Sequence, residues 1–263
     1  MSDALTPKTK APLPAQPQKA RPWLNWRQSG VLADRYLDML LADWGGTALL
    51  LLQAPLLAGM AVLVWGNTGE ANRSLYFVMV LSSLWLGCMD ACREIVKERA
   101  LFLRERMFNL EVGAYLLSKL RVLFILNGVQ TILYTAIIAS QLDVRVHAVW
   151  LGLVLLLTTL VGTCLGLLIS AASKRSDYAV AVVPLVILPQ ILFSEFAIAK
   201  DDFAGASEVI YTLMPSRWAY DVLVEWAKTE PDYGTITAHL LPLPLFCAVF
   251  LALAWPLLHF KRY

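Results

Sequence analysis

Residues 146–173, VHAVWLGLVLLLTTLVGTCLGLLISAAS, contain no Asp, Glu, Lys or Arg over 28 positions. A helix rising about 1.5 Å per residue needs about 20 apolar residues to cross about 30 Å of hydrocarbon, so this stretch predicts a transmembrane helix. Gly162 and Gly166 form one GxxxG within it, a spacing that lets two helix backbones approach closely. Five further windows are free of charge: 44–69, 74–89, 122–142, 178–194 and 233–260. Windows 74–89 and 178–194 are short and must borrow neighbours such as Asp90 and Glu195. The predicted spans are 46–65, 75–92, 122–141, 148–172, 179–197 and 240–258.

Composition agrees with that reading. Of 263 residues, 58% are apolar and only 16% charged, and mean hydropathy is +0.60. A soluble domain carries about 25% charge, so this chain lacks the polar residues to cover a soluble globule. A net charge of +2 makes nucleic acid an unnatural partner. Six spans put both termini on one side. With that side cytoplasmic, seventeen Lys and Arg lie inside and five outside (Arg73, Arg145, Lys200, Arg217, Lys228), which places the N- and C-termini in the cytoplasm of a plasma membrane or bacterial inner membrane.

The segments between the spans carry the functional expectations. Residues 1–22 alternate Pro with Lys, Gln and Ala, which predicts a disordered tail and no cleaved signal. In 23–44, Trp23, Trp26, Tyr36, Leu37, Leu40, Leu41 and Trp44 recur at helical steps among charges, which predicts an amphipathic helix at the inner membrane surface. An ordinary extension of the first span is the plainer alternative. The stretch 93–121, REIVKERALFLRERMFNLEVGAYLLSKLR, is too polar to span and too apolar for a free loop. As one helix, 93–106 would put Glu94, Glu98 and Glu105 on one stripe. Such charge runs are usually solvated faces, but Ile95, Val96, Leu101, Phe102, Leu103 and Phe108 interrupt this one, which favours a docking element for a cytoplasmic protein. The outer segment 198–239 stays apolar enough to predict short helices or a re-entrant piece. Pro184 and Pro189 interrupt the fifth span, either as a kink or as one wall of a route.

Catalytic motifs are absent. There is no G-x-x-x-x-G-K-[ST], G-x-S-x-G or H-E-x-x-H. Four cysteines (Cys88, Cys92, Cys164, Cys247) lie in or beside apolar runs and lack metal-ligand spacing, and the three histidines sit near membrane edges. The expectation is a chain with no enzyme chemistry, no catalytic residue, no metal and no cofactor of its own. Asp90 and Glu195 are the acids nearest the bilayer and are functional candidates on that ground.

Two runs resemble a known family. Glu94-Ile-Val-Lys-Glu98-Arg99-Ala-Leu-Phe102-Leu-Arg104-Glu105 followed by Tyr115-Leu-Leu-Ser118-Lys119 is similar to the coupling-helix signature of ABC-2 type transporters, in particular the G subfamily and bacterial FHA-fused exporters. Leu188-Pro189-Gln190-Ile-Leu192-Phe193-Ser194 and Met214-Pro215-Ser216-Arg217-Trp218 are similar in support. The resemblance covers about 25–263. It implies an all-α integral membrane protein of the ABC-2, type V exporter architecture, with six transmembrane helices, an N-terminal connecting helix and a cytoplasmic coupling helix between spans two and three.

It further implies a permease subunit of an ATP-driven exporter that pairs with a second copy of itself. In the G subfamily the ATPase is usually fused; here a short Pro-rich tail precedes the connecting helix, so the expectation is a separate ABC ATP-binding subunit in two copies, which would bind ATP and Mg. Coupling to it would fall to Glu94, Glu98, Arg99, Phe102, Arg104 and Glu105. The translocation path would use Tyr76, Phe77, Ser82, Ser83, Leu188, Gln190 and Phe193. These are mostly apolar or aromatic, which suits a lipid-like or amphipathic cargo; membrane lipids are the other expected partner. A polysaccharide or teichoic-acid exporter permease is one alternative. A membrane scaffold that recruits a cytoplasmic protein through 93–121 is another.

Overall fold

The computed structural model describes residues 25–67, 73–198 and 204–260; the Pro-rich tail and Trp23 of the predicted surface helix lie outside them. These residues form helices α1 (Trp26–Ala42), α2 (Trp44–Trp65), α3 (Arg73–Ala91), α4 (Arg99–Met107), α5 (Val112–Gln141), α6 (Ala148–Ala172), α7 (Ser176–Leu192), α8 (Ala206–Thr212), α9 (Pro215–Trp226), α10 (Tyr233–Leu240) and α11 (Pro242–Phe260). No strand occurs among the described residues. Five helical stretches are long and apolar enough to cross a bilayer: α2, α3, α5, α6 and the α10–α11 run Tyr233–Phe260. Helix α7 is apolar but only 17 residues long.

Close packing of α3 on α6 organises the bundle. A Cβ on Gly162 would strike the Leu84 carbonyl, one on Gly166 the Cys88 carbonyl, and one on Gly87 the Thr159 carbonyl. The GxxxG of α6 therefore meets a third glycine on α3, and the two backbones touch. Buried Thr158, Thr159 and Thr163 turn their hydroxyls back to the carbonyls of Val154, Leu155 and Thr159 at 2.8–2.9 Å, so α6 brings polar residues into this seam without leaving them unsatisfied.

The helices differ in extent from several predicted spans. Helix α5, which contains the predicted third span 122–141, begins at Val112. Its 30 residues give a rod of about 45 Å, longer than the hydrocarbon, so Tyr115, Ser118 and Lys119 sit on the same rod as the span. The predicted fifth span 179–197 is the helix Ser176–Leu192 instead; two prolines lie inside it, and Ser194 Oγ donates to the Ile191 carbonyl just beyond its end at 2.7 Å.

A single helix over 93–106 is also corrected. Residues 92–98 form consecutive turns, and only Arg99–Met107 is helical. Ser170 Oγ of α6 accepts from the Ile95 and Val96 amides, each at 3.0 Å, and this tertiary contact holds the turns away from helix geometry. The outer segment 198–239 resolves, where described, into short helices α8, α9 and α10, of which α9 buries Ala219, Tyr220, Val222 and Leu223 in the main core.

Candidate functional site

One end of the bundle gathers α1, the 92–98 turns, α4 and the first turns of α5. Asn25 caps α1 by accepting from the Gln28 amide at 3.2 Å. Ser29, Leu32 and Tyr36 then face inward along one side of α1, while Trp26, Leu37, Leu41 and Trp44 stay exposed. At 3.6 residues per turn Trp26, Leu37 and Leu41 fall within an arc of about 60°, about 120° around α1 from the buried Ser29, Leu32 and Tyr36. The arc directly opposite the buried face carries Arg27, Asp34 and Asp38, and Trp44 belongs to α2.

Lys119 is the centre of the cluster. It is fully buried, and its Nζ lies 2.7 Å from Glu98 Oε2 and 3.7 Å from Glu94 Oε2. It also sits 3.5 Å from the centroid of the Tyr36 ring and 5.8 Å from that of Tyr115. Lys97 forms an ion pair with Glu94 from the solvent side. Two carboxylates and two ammonium groups thus balance in charge beside two aromatic rings where α1, the turns and α5 meet. Burial, and next the Glu94 carboxylate, push the Tyr36 phenol well above its usual range, so it stays neutral.

Helix α4 is attached on four sides. Arg35 of α1 makes a two-pronged ion pair with Glu105, its second prong at 3.3 Å. Arg99 Nη1 donates to the Ser173 carbonyl beyond α6 at 3.0 Å. Arg106 donates to the Leu258 carbonyl at 2.7 Å and to the His259 carbonyl, which occupies acceptors at the C-terminal end of α11. Phe102 packs beneath, its ring centroid 4.7 Å from that of Tyr115. The following turn is tied as well: Gln28 donates to the Asn109 carbonyl and accepts from the Glu111 amide. Asn109 has φ 75°, a left-handed conformation that Asn tolerates better than most residues.

Of the six residues expected to couple to a partner, Glu94 and Phe102 are buried, and Glu98, Arg99 and Glu105 are half-buried with intramolecular partners; Arg104 is exposed. The outward surface of this end is Arg93, Lys97, Ala100, Arg104, Met107 and Phe108, with Met107 76% and Phe108 79% exposed. Met107 and Phe108 were legible only as part of an apolar-charged mixture; two large apolar residues directly after Arg104-Glu105-Arg106 were the available signal.

The expected path residues lie on α3 and on α7 or just beyond its end. Tyr76, Phe77 and Ser83 are buried in α3, and Ser82 is half-buried. Phe77 stacks on Phe196 at 5.4 Å and meets Tyr220 edge-on at 6.1 Å. Gln190 is buried and accepts from the Ser216 amide at 3.2 Å and hydroxyl at 2.7 Å, tying α7 to the start of α9. Phe193 is half-buried and Leu188 exposed on α7. Glu195 accepts from the Tyr211 hydroxyl at 2.9 Å.

An all-helical bundle of apolar rods, with a charged element fastened across one end, defines a multi-pass membrane protein. The profile of the ABC-2 type transporter family matches residues 27–226, so the chain belongs to that family. The ABC-2 membrane domain is a permease component, not a catalytic one, and works with ATP-binding subunits. The chain is also similar to an ABC transporter ATP-binding/permease protein of Mycobacterium tuberculosis, 24% identical over 214 residues. That match covers 74% of this chain and 25% of the relative, so the chain spans about a quarter of that protein's length.

Proposed function

We propose that this chain is the permease subunit of an ATP-driven exporter, coupled through its α4 end to an ABC ATP-binding subunit. The observation that carries the reading is the attachment of α4. A short helix held to α1, α5, α6 and α11 moves those four helices when it is moved, which is what a lever between a motor and a membrane bundle requires. Helix α7 serves as the sixth span, both termini lie in the cytoplasm, and the outward stripe of α1 rests at headgroup depth. Two copies of the permease and two of the ATP-binding subunit make the transporter, with Leu188 and its exposed neighbours on α7 turned toward the second copy and a lipid-like cargo. The ATP-binding subunit holds ATP and Mg and supplies differential binding to inward- and outward-open states.

Reconstitution of the chain with its ATP-binding subunit in lipid vesicles tests this. Hydrolysis that rises several-fold with the permease present, and falls back when Phe108→Ala and Arg104→Glu are combined, supports the reading. Hydrolysis that is indifferent to the permease, or to that double change, overturns it.

A further inference from the structure

Helices α5 and α11 each pack on α6 more closely than on each other, and a groove runs between them. Small residues keep it open: Gly113 on α5, and Ala248 and Ala252 on α11, send no bulk across. Two clefts of about 540 and about 650 Å³ share Leu117 and Leu120 in their lining, so they form one groove. Leu157, Leu160 and Cys164 of α6 are its floor. From Gly113 to Ile125 the α5 wall is about 18 Å long, close to the acyl depth of one leaflet, which is half of about 30 Å.

One side chain of the lining is charged. Arg121 of α5 reaches the groove half-buried, and it makes no hydrogen bond or ion pair among the described residues. No acid lines either cleft. Lys119, two residues earlier on α5, is answered by Glu94 and Glu98 instead. A side chain in a helix leans toward the helix N-terminus, so Arg121 leans toward the α4 end. There its guanidinium lies 5.0 Å from the ring of Trp26, the first residue of α1. Trp255, on the α11 wall, stacks on His259 with ring centroids 4.6 Å apart. Tryptophans beside a cation are the usual residues of the headgroup layer.

An unanswered arginine beside apolar surface is costly in a bilayer, and a phosphate answers it with two parallel N–H···O bonds. Basic pockets between membrane helices take anionic lipid head groups on this ground. We propose that the α5–α6–α11 groove holds an anionic phospholipid, with its phosphate on the Arg121 guanidinium and one acyl chain along Leu117, Leu120 and Ile125. A second copy of this chain fits the groove less well. It would need an acid at that depth, and its charge-free windows offer none. The proposal stands apart from the exporter reading, because it needs only a bilayer around α5 and α11.

Lipid retention by the intact chain tests it. The chain is reconstituted in phosphatidylcholine vesicles holding a minor share of phosphatidylglycerol, extracted in mild detergent, and its retained lipid is measured by mass spectrometry. Phosphatidylglycerol is retained several-fold above its share, and Arg121→Gln removes the enrichment. Ala252→Trp fills the groove but keeps Arg121; it lowers the enrichment too, and covers the case in which Arg121→Gln fails to fold. Retention of the two lipids in their bulk ratio overturns the proposal, as does enrichment that survives Arg121→Gln. An equal loss with Arg27→Gln, on the exposed face of α1, also overturns it, because general surface charge is then the cause. So does a cross-link from Cys247, in the lining of the groove, to a second copy, because protein is then the occupant.

Discussion

Where α3 crosses α6, contact is backbone on backbone at Gly87, Gly162 and Gly166, where any side chain would strike the other helix. Where α4 meets α1 and α5, contact is charge on charge, with Lys119 between Glu94 and Glu98 and Arg35 against Glu105. The first seam has one good geometry, because a displaced glycine helix loses its fit at once. The second is built from long side chains that can keep their pairing through a small shift. If one end is pulled, as the proposed lever requires, the bundle needs both kinds of seam, and here they lie on neighbouring helices.

The largest expected effect comes from the charged seam. Lys119→Met strips Glu98 of its ion-pair partner and leaves Glu94 with Lys97 alone, and breaking a buried pair costs about 3–5 kcal/mol. Thermal melting in detergent should show it, and Lys119→Met combined with Glu98→Gln should recover part of the loss. A single substitution with no effect would mean that the pairing does not hold this end together. Gly162→Val tests the glycine seam. Its branched side chain meets the Leu84 carbonyl, and overpacking of this kind costs about 1–3 kcal/mol; unchanged melting would show that the rods are not in contact there.

Smaller effects sharpen the contrast. Arg35→Gln removes an ion pair that is about one-third exposed on the Arg side, so solvent screening limits its cost to about 1 kcal/mol or less. A melting loss as large as that of Lys119→Met would put the centre of the cluster at Glu105 instead. Phe108→Ala touches a side chain that is 79% exposed, and surface changes of this kind usually stay within about 0.5 kcal/mol. Its melting should match the parent while partner-stimulated hydrolysis falls; equal loss of both would assign Phe108 a structural role.

Sequence patterning reached the rods but not their fastening. Charge-free windows locate α2, α6 and α11 because the bilayer imposes the same rule on each. The same rule cut α5 short. Lys119 and Arg121 break the window, and nothing local to residue 119 shows that Glu94 and Glu98 cancel its charge. The turns at 92–98 depend on a hydroxyl at Ser170, more than seventy positions away. Gly162 and Gly166 were readable as a pair, whereas Gly87 acquires its meaning only when α3 docks. The apolar residues among the charges of 93–106 pointed to a docking element, and the acids of its stripe are taken up inside the chain, Glu94 and Glu98 by Lys119 and Glu105 by Arg35.

The account rests on which side of α4 meets another protein. Photo-reactive benzoylphenylalanine placed at position 108, and separately at position 102, in the transporter assembled with its ATP-binding subunit measures this directly. Adducts to that subunit from position 108 and only intramolecular adducts from 102 are the predicted result. Adducts confined to lipid from position 108, with none to the ATP-binding subunit, would contradict it.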